Sequence, residues 1–129
     1  MIAIRALDGA EILVSEDAVT LVAGPYPHDV GPHTYVHGVE RGVLVTAEDA
    51  RALAARLRVD PPLVRLTRPD GSPVWIKKSA VTVIRPPLAT EQPAGAVARA
   101  VVIVGGLHQA IREDVQTAAS MLTTPAGSV

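Results

Sequence analysis

Cysteine is absent from the 129 residues, and so is phenylalanine; Tyr26, Tyr35 and Trp75 are the only aromatic side chains. The first absence excludes disulfides, thiolate nucleophiles and cysteine-bound metals, so any metal would have to be held by His, Asp or Glu. The second means that Val, Leu, Ile and Ala must fill the core. These bury less area per residue than aromatics, and a unit of about 60 residues already buries a smaller share of its surface than a larger domain. Two independent mini-domains would be marginal on that account.

Neither sign of charge is in excess. Twelve basic against thirteen acidic residues leave a formal net charge of −1, which gives no overall pull toward nucleic acid or an anionic membrane. No apolar run approaches the roughly 20 residues that span a bilayer, and no basic-then-apolar leader opens the chain. The expectation is a soluble, cytoplasmic protein without a membrane partner. The motifs of common catalytic sites are missing too: there is no G-x-x-x-x-G-K-[ST] loop, no G-x-S-x-G elbow, no H-E-x-x-H helix and no G-x-G-x-x-G turn. The chain is expected not to be an enzyme and to carry no cofactor.

What is present is a composition 48% hydrophobic and 19% charged, fit for a packed globule. It also contains an internal similarity. Ile2 to Pro25 aligns with Val64 to Pro87 at an offset of 62, matching Asp8-Gly9 with Asp70-Gly71, Ala18-Val19-Thr20 with Ala80-Val81-Thr82, and Pro25 with Pro87. Most of the remaining strand positions exchange one apolar residue for another. At an offset of 65 the register resumes, with Glu48-Asp49 on Glu113-Asp114, Ala54 on Ala119 and Leu57 on Leu122.

Each copy reads as short strands followed by one helix. Ile2 to Leu7 and Glu11 to Val14 flank the hairpin signal Asp8-Gly9, and further strands are expected over Ala18 to Val22, His33 to Gly38 and Val43 to Val45. Thr46 fits a helix N-cap, with Glu48 and Asp49 in the first turn, and Ala50, Leu53, Ala54 and Leu57 make one apolar stripe ending near Arg58. Asp60-Pro61-Pro62 stops the helix. The second copy repeats the order with Val64 to Arg68, Val74 to Ile76, Ala80 to Ile84, Ala98 to Val104, a Gly105-Gly106 turn, and an uncapped helix over Arg112 to Leu122.

The fold class expected is α+β: two tandem repeats of a short-stranded antiparallel sheet followed by a helix, packed with pseudo-twofold symmetry around a shared core. The boundaries are 1–58 for the first repeat, 59–63 for a linker, 64–122 for the second repeat and 123–129 for a flexible tail. Sheet edges and an inter-repeat groove suit recognition of a protein partner, and the valine-rich edges predict a homodimer that hides them.

Charge divides along the chain. Residues 1–55 hold three basic and eight acidic side chains, and residues 56–85 hold seven basic and two acidic. Arg65, Arg68, Lys77, Lys78 and Arg85, with Trp75 beside the lysines, are the candidates for binding an anion, a nucleotide or nucleic acid. The plainer reading is that the two oppositely charged faces attract each other. A second candidate is the loop Tyr26 to His37, which holds three imidazoles and a carboxylate within ten residues. His28, Asp29 and His33 could ligate zinc or nickel, whereas His33 and His37 would lie roughly 13 Å apart along a strand; a solvated loop is the plainer reading.

The repeat unit combines an early L-x-G (Leu7, Gly9), a T-x-V strand (Thr34, Val36), a glycine turn (Gly42) and V-x-x-E (Val45, Glu48) before a short helix. In this it resembles the small bacterial flagellar-operon proteins of the FlbD or swarming-motility type, here present twice, over Met1 to Leu57 and Leu63 to Leu122. The resemblance implies a small non-enzymatic accessory factor and carries over no binding residue. The function expected is therefore a non-catalytic module engaging a protein partner, a phage or mobile-element inhibitor being one instance, with nucleotide or nucleic-acid binding on the basic face as the alternative.

Overall fold

A computed structural model of the chain describes residues 1–25, 33–59, 61–92 and 97–122. The segment 123–129, read from sequence as a tail, lies outside the described residues. The fold is mixed α+β, with ten strands and two α-helices among the described residues, and the chain divides into two compact units, Met1–Leu63 and Val64–Val129.

The first unit begins with a hairpin of β1 (Ile2–Arg5) and β2 (Glu11–Val14), paired antiparallel with Ile4 opposite Ile12 and Arg5 opposite Glu11. Its turn follows from Asp8-Gly9: the Ala6 and Gly9 N–H groups donate to Ala10 and Ala6 carbonyls, Asp8 Oδ1 accepts from Ala10 N–H, and Gly9 takes a φ of +89°. Strand alternation buries Ile4 and Val14 and leaves Leu13 and Glu11 exposed. A meander of β3 (Leu21–Ala23), β4 (Thr34–His37) and β5 (Leu44–Thr46) follows, all antiparallel, and an isolated bridge between Ala6 and Thr46 ties it to the hairpin. Helix α1 (Ala50–Arg56) packs on β3 and buries Ala50 and Leu53.

In the second unit β6 (Val64–Thr67) and β7 (Pro73–Ile76) form a hairpin, and β8 (Val81–Arg85), β9 (Ala100–Val104) and β10 (Leu107–Ile111) form an antiparallel sheet in the order β8-β9-β10. Helix α2 (Val115–Leu122) packs against β6, β8 and β9, burying Ala118 and Leu122.

Several elements differ from what the sequence pattern leads one to expect. The third strand, expected from Ala18, begins at Leu21; Ala18 instead ends a one-turn 3-10 helix, Glu16–Ala18, closed by Ala18 N–H on Ser15 O and Val19 N–H on Glu16 O. Thr46 does not cap the helix. Its hydroxyl donates to Arg5 O and accepts from Glu48 N–H, which holds it in β5, and Asp49 caps instead by accepting from Ala52 N–H at 3.0 Å. The second helix is not uncapped: Asp114 accepts from Thr117 N–H at 2.7 Å, and this bond draws the Asp114 carboxyl below its ordinary pKa. Leu107 to Ile111, to which the sequence pattern assigns no element, form β10, because Gly105-Gly106, both at positive φ, turn the chain back along β9.

Asp49→Ala and Asp114→Ala should each cost about 1 kcal/mol of stability by denaturant titration. Gly38→Ala should cost more, because Gly38 has φ +100° and an added Cβ would lie 2.3 Å from Ala18 O. Equal losses for all three would contradict this account.

Candidate functional site

The backbone of β1 presents two edges. On one side it pairs with β2 through Ile2, Ile4 and Ala6, whose partners are Val14, Ile12 and Ala10. Alternation then turns the N–H and C=O of Ala3 and Arg5 the other way. Among the described residues no strand covers that side beyond the single bridge at Ala6; side chains do. Glu48 Oε2 accepts from Arg5 N–H at 3.3 Å, the Thr46 hydroxyl donates to Arg5 O, and Arg56 Nη2 donates to Ala3 O at 2.6 Å. Arg56 Nη1 also donates to Glu48 Oε1, joining the two side chains into one clamp. Thr34 donates to the Glu48 carbonyl and so fixes the backbone from which that carboxylate extends.

A cleft of about 410 Å³ opens beside this clamp, lined by Ala3, Arg5, Glu11, Ala47, Glu48 and Arg56 together with Ile4. It balances two guanidinium groups against two carboxylates, and Glu48 and Arg56 are already bonded to each other. Its chemistry is that of a structural closure. Covalent catalysis of acyl or phosphoryl transfer needs at least a nucleophile with an adjacent base, and no such pair lies among its lining residues.

The other edge of the hairpin is open. Ile12 and Val14 face β1, so Glu11 and Leu13 turn their N–H and C=O groups outward, and among the described residues no strand pairs with β2 on that side. The Leu13 side chain is 66% exposed. Met1, at 85%, and Leu7, at 52%, add further exposed apolar surface to the same hairpin.

The residues read from sequence as an anion site do not share one environment. Arg68 is buried, with Nε donating to Ser72 Oγ at 2.6 Å and lying 3.9 Å from Asp70 Oδ1, so it belongs to the β6–β7 turn. Trp75 is 9% exposed. Arg85 forks onto Glu91 through Nη1–Oε1 at 2.7 Å and Nη2–Oε2 at 2.8 Å, and the Leu88 N–H adds a third bond to Glu91. Arg65 is exposed, while Lys77 and Lys78 are half-buried beside the 3-10 turn Lys78–Ala80. Of the proposed metal ligands, His28 and Asp29 lie outside the described residues, and His33 is half-buried just before β4. No group of three or more His, Asp or Glu residues suited to a metal occurs among the described residues. No described helix is long and apolar enough to cross a membrane.

Sequence reasoning missed the acidic pair's division of labour. Glu48 and Glu113 look like helix-dipole partners, yet each carboxylate reaches back to an early strand: Glu113 Oε1 accepts from Thr67 N–H at 3.0 Å. The signal was the recurrence of Glu-Asp in both halves, since a cap needs one carboxylate and not two. A second cleft, of about 350 Å³, lies there, lined by Thr67, Arg99, Arg112 and Glu113.

Glu48→Gln should cost roughly 1–2 kcal/mol by weakening a charged acceptor of strand and guanidinium bonds. Arg56→Met should cost less, under about 1 kcal/mol, because the Arg56 side chain is 43% exposed. The Glu91 carboxyl is held at about 2, below its ordinary 4.5, first by the Arg85 hydrogen bonds and then by the Leu88 N–H. A depressed folded-state value means stability that is present above the unfolded pKa and lost as pH falls from about 4.5 toward 2. Glu91→Gln should therefore flatten stability against pH over that window; an unchanged slope would contradict the role given to the fork.

No family model matches the chain, and neither a curated protein nor a solved structure matches it.

Proposed function

We propose that the protein is a non-catalytic, cytoplasmic protein-binding module built from two copies of one ancestral unit, and that it takes its partner on the open edge of β2. The binding reading is carried by Leu13. It sits 66% exposed in a strand whose opposite face carries half-buried Ile12 and buried Val14, and its backbone donor and acceptor point away from the only strand that pairs with β2 among the described residues. An extended segment can add there as a further strand, with main-chain hydrogen bonds supplying affinity and Leu13 an apolar contact.

The duplication is supported by hydrogen bonds that recur at the spacing of the sequence repeat. Arg5 N–H on Glu48 has its counterpart in Thr67 N–H on Glu113. Ala10 N–H on Asp8 matches Ser72 N–H on Asp70, and Ala52 N–H on Asp49 matches Thr117 N–H on Asp114. These bonds join backbone to side chain across the same elements in the same order, which chance similarity between valine-rich strands does not require. A small accessory role is also what the resemblance to flagellar-operon proteins implies. Nucleotide or nucleic-acid binding draws less support, since Arg68, Trp75 and Arg85 are taken up by the second unit's own packing and ion pairing.

Replacing Leu13 by the photocrosslinker p-benzoylphenylalanine, with the same replacement at exposed Arg99 as control, tests the edge in cells that express the protein. A defined crosslinked protein at position 13 and none at position 99 is expected. Equal capture at both positions, or none at 13, would overturn the reading.

A further inference from the structure

We infer that the β2 edge takes a basic extended segment of another protein, with an apolar residue opposite Leu13 and a lysine or arginine two positions later, opposite Glu11; the inference rests on the reading of β2 as the binding edge. The Ala6 N–H donates to Ala10 O across the hairpin, and alternation from that pair leaves Glu11 and Leu13 as the residues of β2 whose donors and acceptors face outward. An antiparallel neighbour takes up these four groups with two residues of its own, one opposite each. Running against β2, it meets Leu13 first and Glu11 two positions later. The ladder does not continue past Leu13, because Ser15 O accepts from Ala18 N–H and the chain leaves the strand through the 3-10 turn Glu16–Ala18.

Charge selects the sign of the second residue. Side chains directly opposite in adjacent strands stand about 5 Å apart, which makes exposed Glu11 the nearest charge to it. Arg5, the partner of Glu11 on β1, is one strand further, roughly 10 Å from an added strand, and its Nη1 is turned to the Gly9 carbonyl at 3.3 Å. At the other end of β2, Glu16 and exposed Asp17 set two carboxylates against Arg58, whose N–H donates to Glu16 Oε2. An acidic segment would place like charges face to face at Glu11, whereas a basic one gains a cross-strand pair there and a second attraction before its apolar residue. The apolar residue covers Leu13, which is 66% exposed.

Fluorescence anisotropy with the full chain at about 20 mM NaCl, where screening is weak, tests this with three labelled, end-blocked peptides: KTTLTKT, the reversed sequence TKTLTTK, and ETTLTET. The reversed peptide has the same composition and charge but no longer sets lysine opposite Glu11. KTTLTKT should bind at least about tenfold more tightly than ETTLTET and at least about threefold more tightly than the reversed peptide. Glu11→Lys should abolish the preference for KTTLTKT over ETTLTET; its side chain is exposed, so the variant should fold, as far-ultraviolet circular dichroism will report. No binding of KTTLTKT up to about 1 mM, equal affinity for the acidic or the reversed peptide, or a preference unchanged in Glu11→Lys would each overturn the inference. If position 13 crosslinks a partner in cells while the peptides are not distinguished, or crosslinks a second copy of this chain, the basic segment fails and the binding edge stands. If position 13 crosslinks nothing, the edge itself fails and the inference with it.

Discussion

An unpaired strand edge in water exposes a row of donors and acceptors, and the first unit is organised around how that exposure is managed on β1. Strand β5 approaches only at Ala6, so Glu48, Arg56 and Thr46 take over the bonds another strand would have made. Three consequences follow from this one clamp. It fastens the hairpin to the helix, it fixes where β5 ends and the helix begins, and it removes β1 as a site for strand addition. A seven-residue helix has little intrinsic stability in water, so α1 owes its persistence to such tertiary anchors and to buried Ala50 and Leu53.

The near absence of aromatics has a visible effect on the interior. The largest fully buried side chains are Ile4, Leu21, Leu53, Leu66, Ile76 and Ile111, with valines filling much of the rest. Small aliphatic residues give little area each, and polar cross-links are correspondingly prominent: Glu48 and Glu113 to early strands, Arg85 to Glu91, Arg68 to its turn, and Gln92 to both backbone groups of Ala98. Two of the five basic residues that look like a ligand surface in the sequence, Arg68 and Arg85, are consumed by structure. Arg68 and Arg85 hold a turn and a connection, so the second unit's positive charge is dispersed rather than focused.

The contrast between the two edges of the first hairpin gives the molecule its directionality. One edge is held by Glu48, Arg56 and Thr46, and the other shows an exposed leucine and, among the described residues, a backbone that no strand pairs with. Among the described residues the hairpin thus has one edge held by side chains and one that no strand pairs with.

From the sequence alone, the elements set by local rules were legible. Asp8-Gly9 and Asp70-Gly71 mark hairpin turns, alternation of apolar residues marks β1 and β6, short apolar runs mark β2 and β7, and both helices lie where the stripes of apolar residues place them, because backbone preference and burial periodicity act within a few residues. The internal similarity likewise depends on nothing but residue identity. What tertiary structure decided were the assignments that need a distant partner. Thr46 could cap a helix or close a strand, and only the Arg5 carbonyl, 41 positions away, selects the second. Glu48 could serve a helix dipole or a strand edge, and the Arg5 N–H selects the edge. Lys and Arg side chains read alike in a sequence whether they face solvent or a carboxylate, so the fate of Arg68 and Arg85 waited on Ser72 and Glu91. Which edge of the hairpin remained open had no local signature at all, since it depends on what the rest of the chain brings alongside.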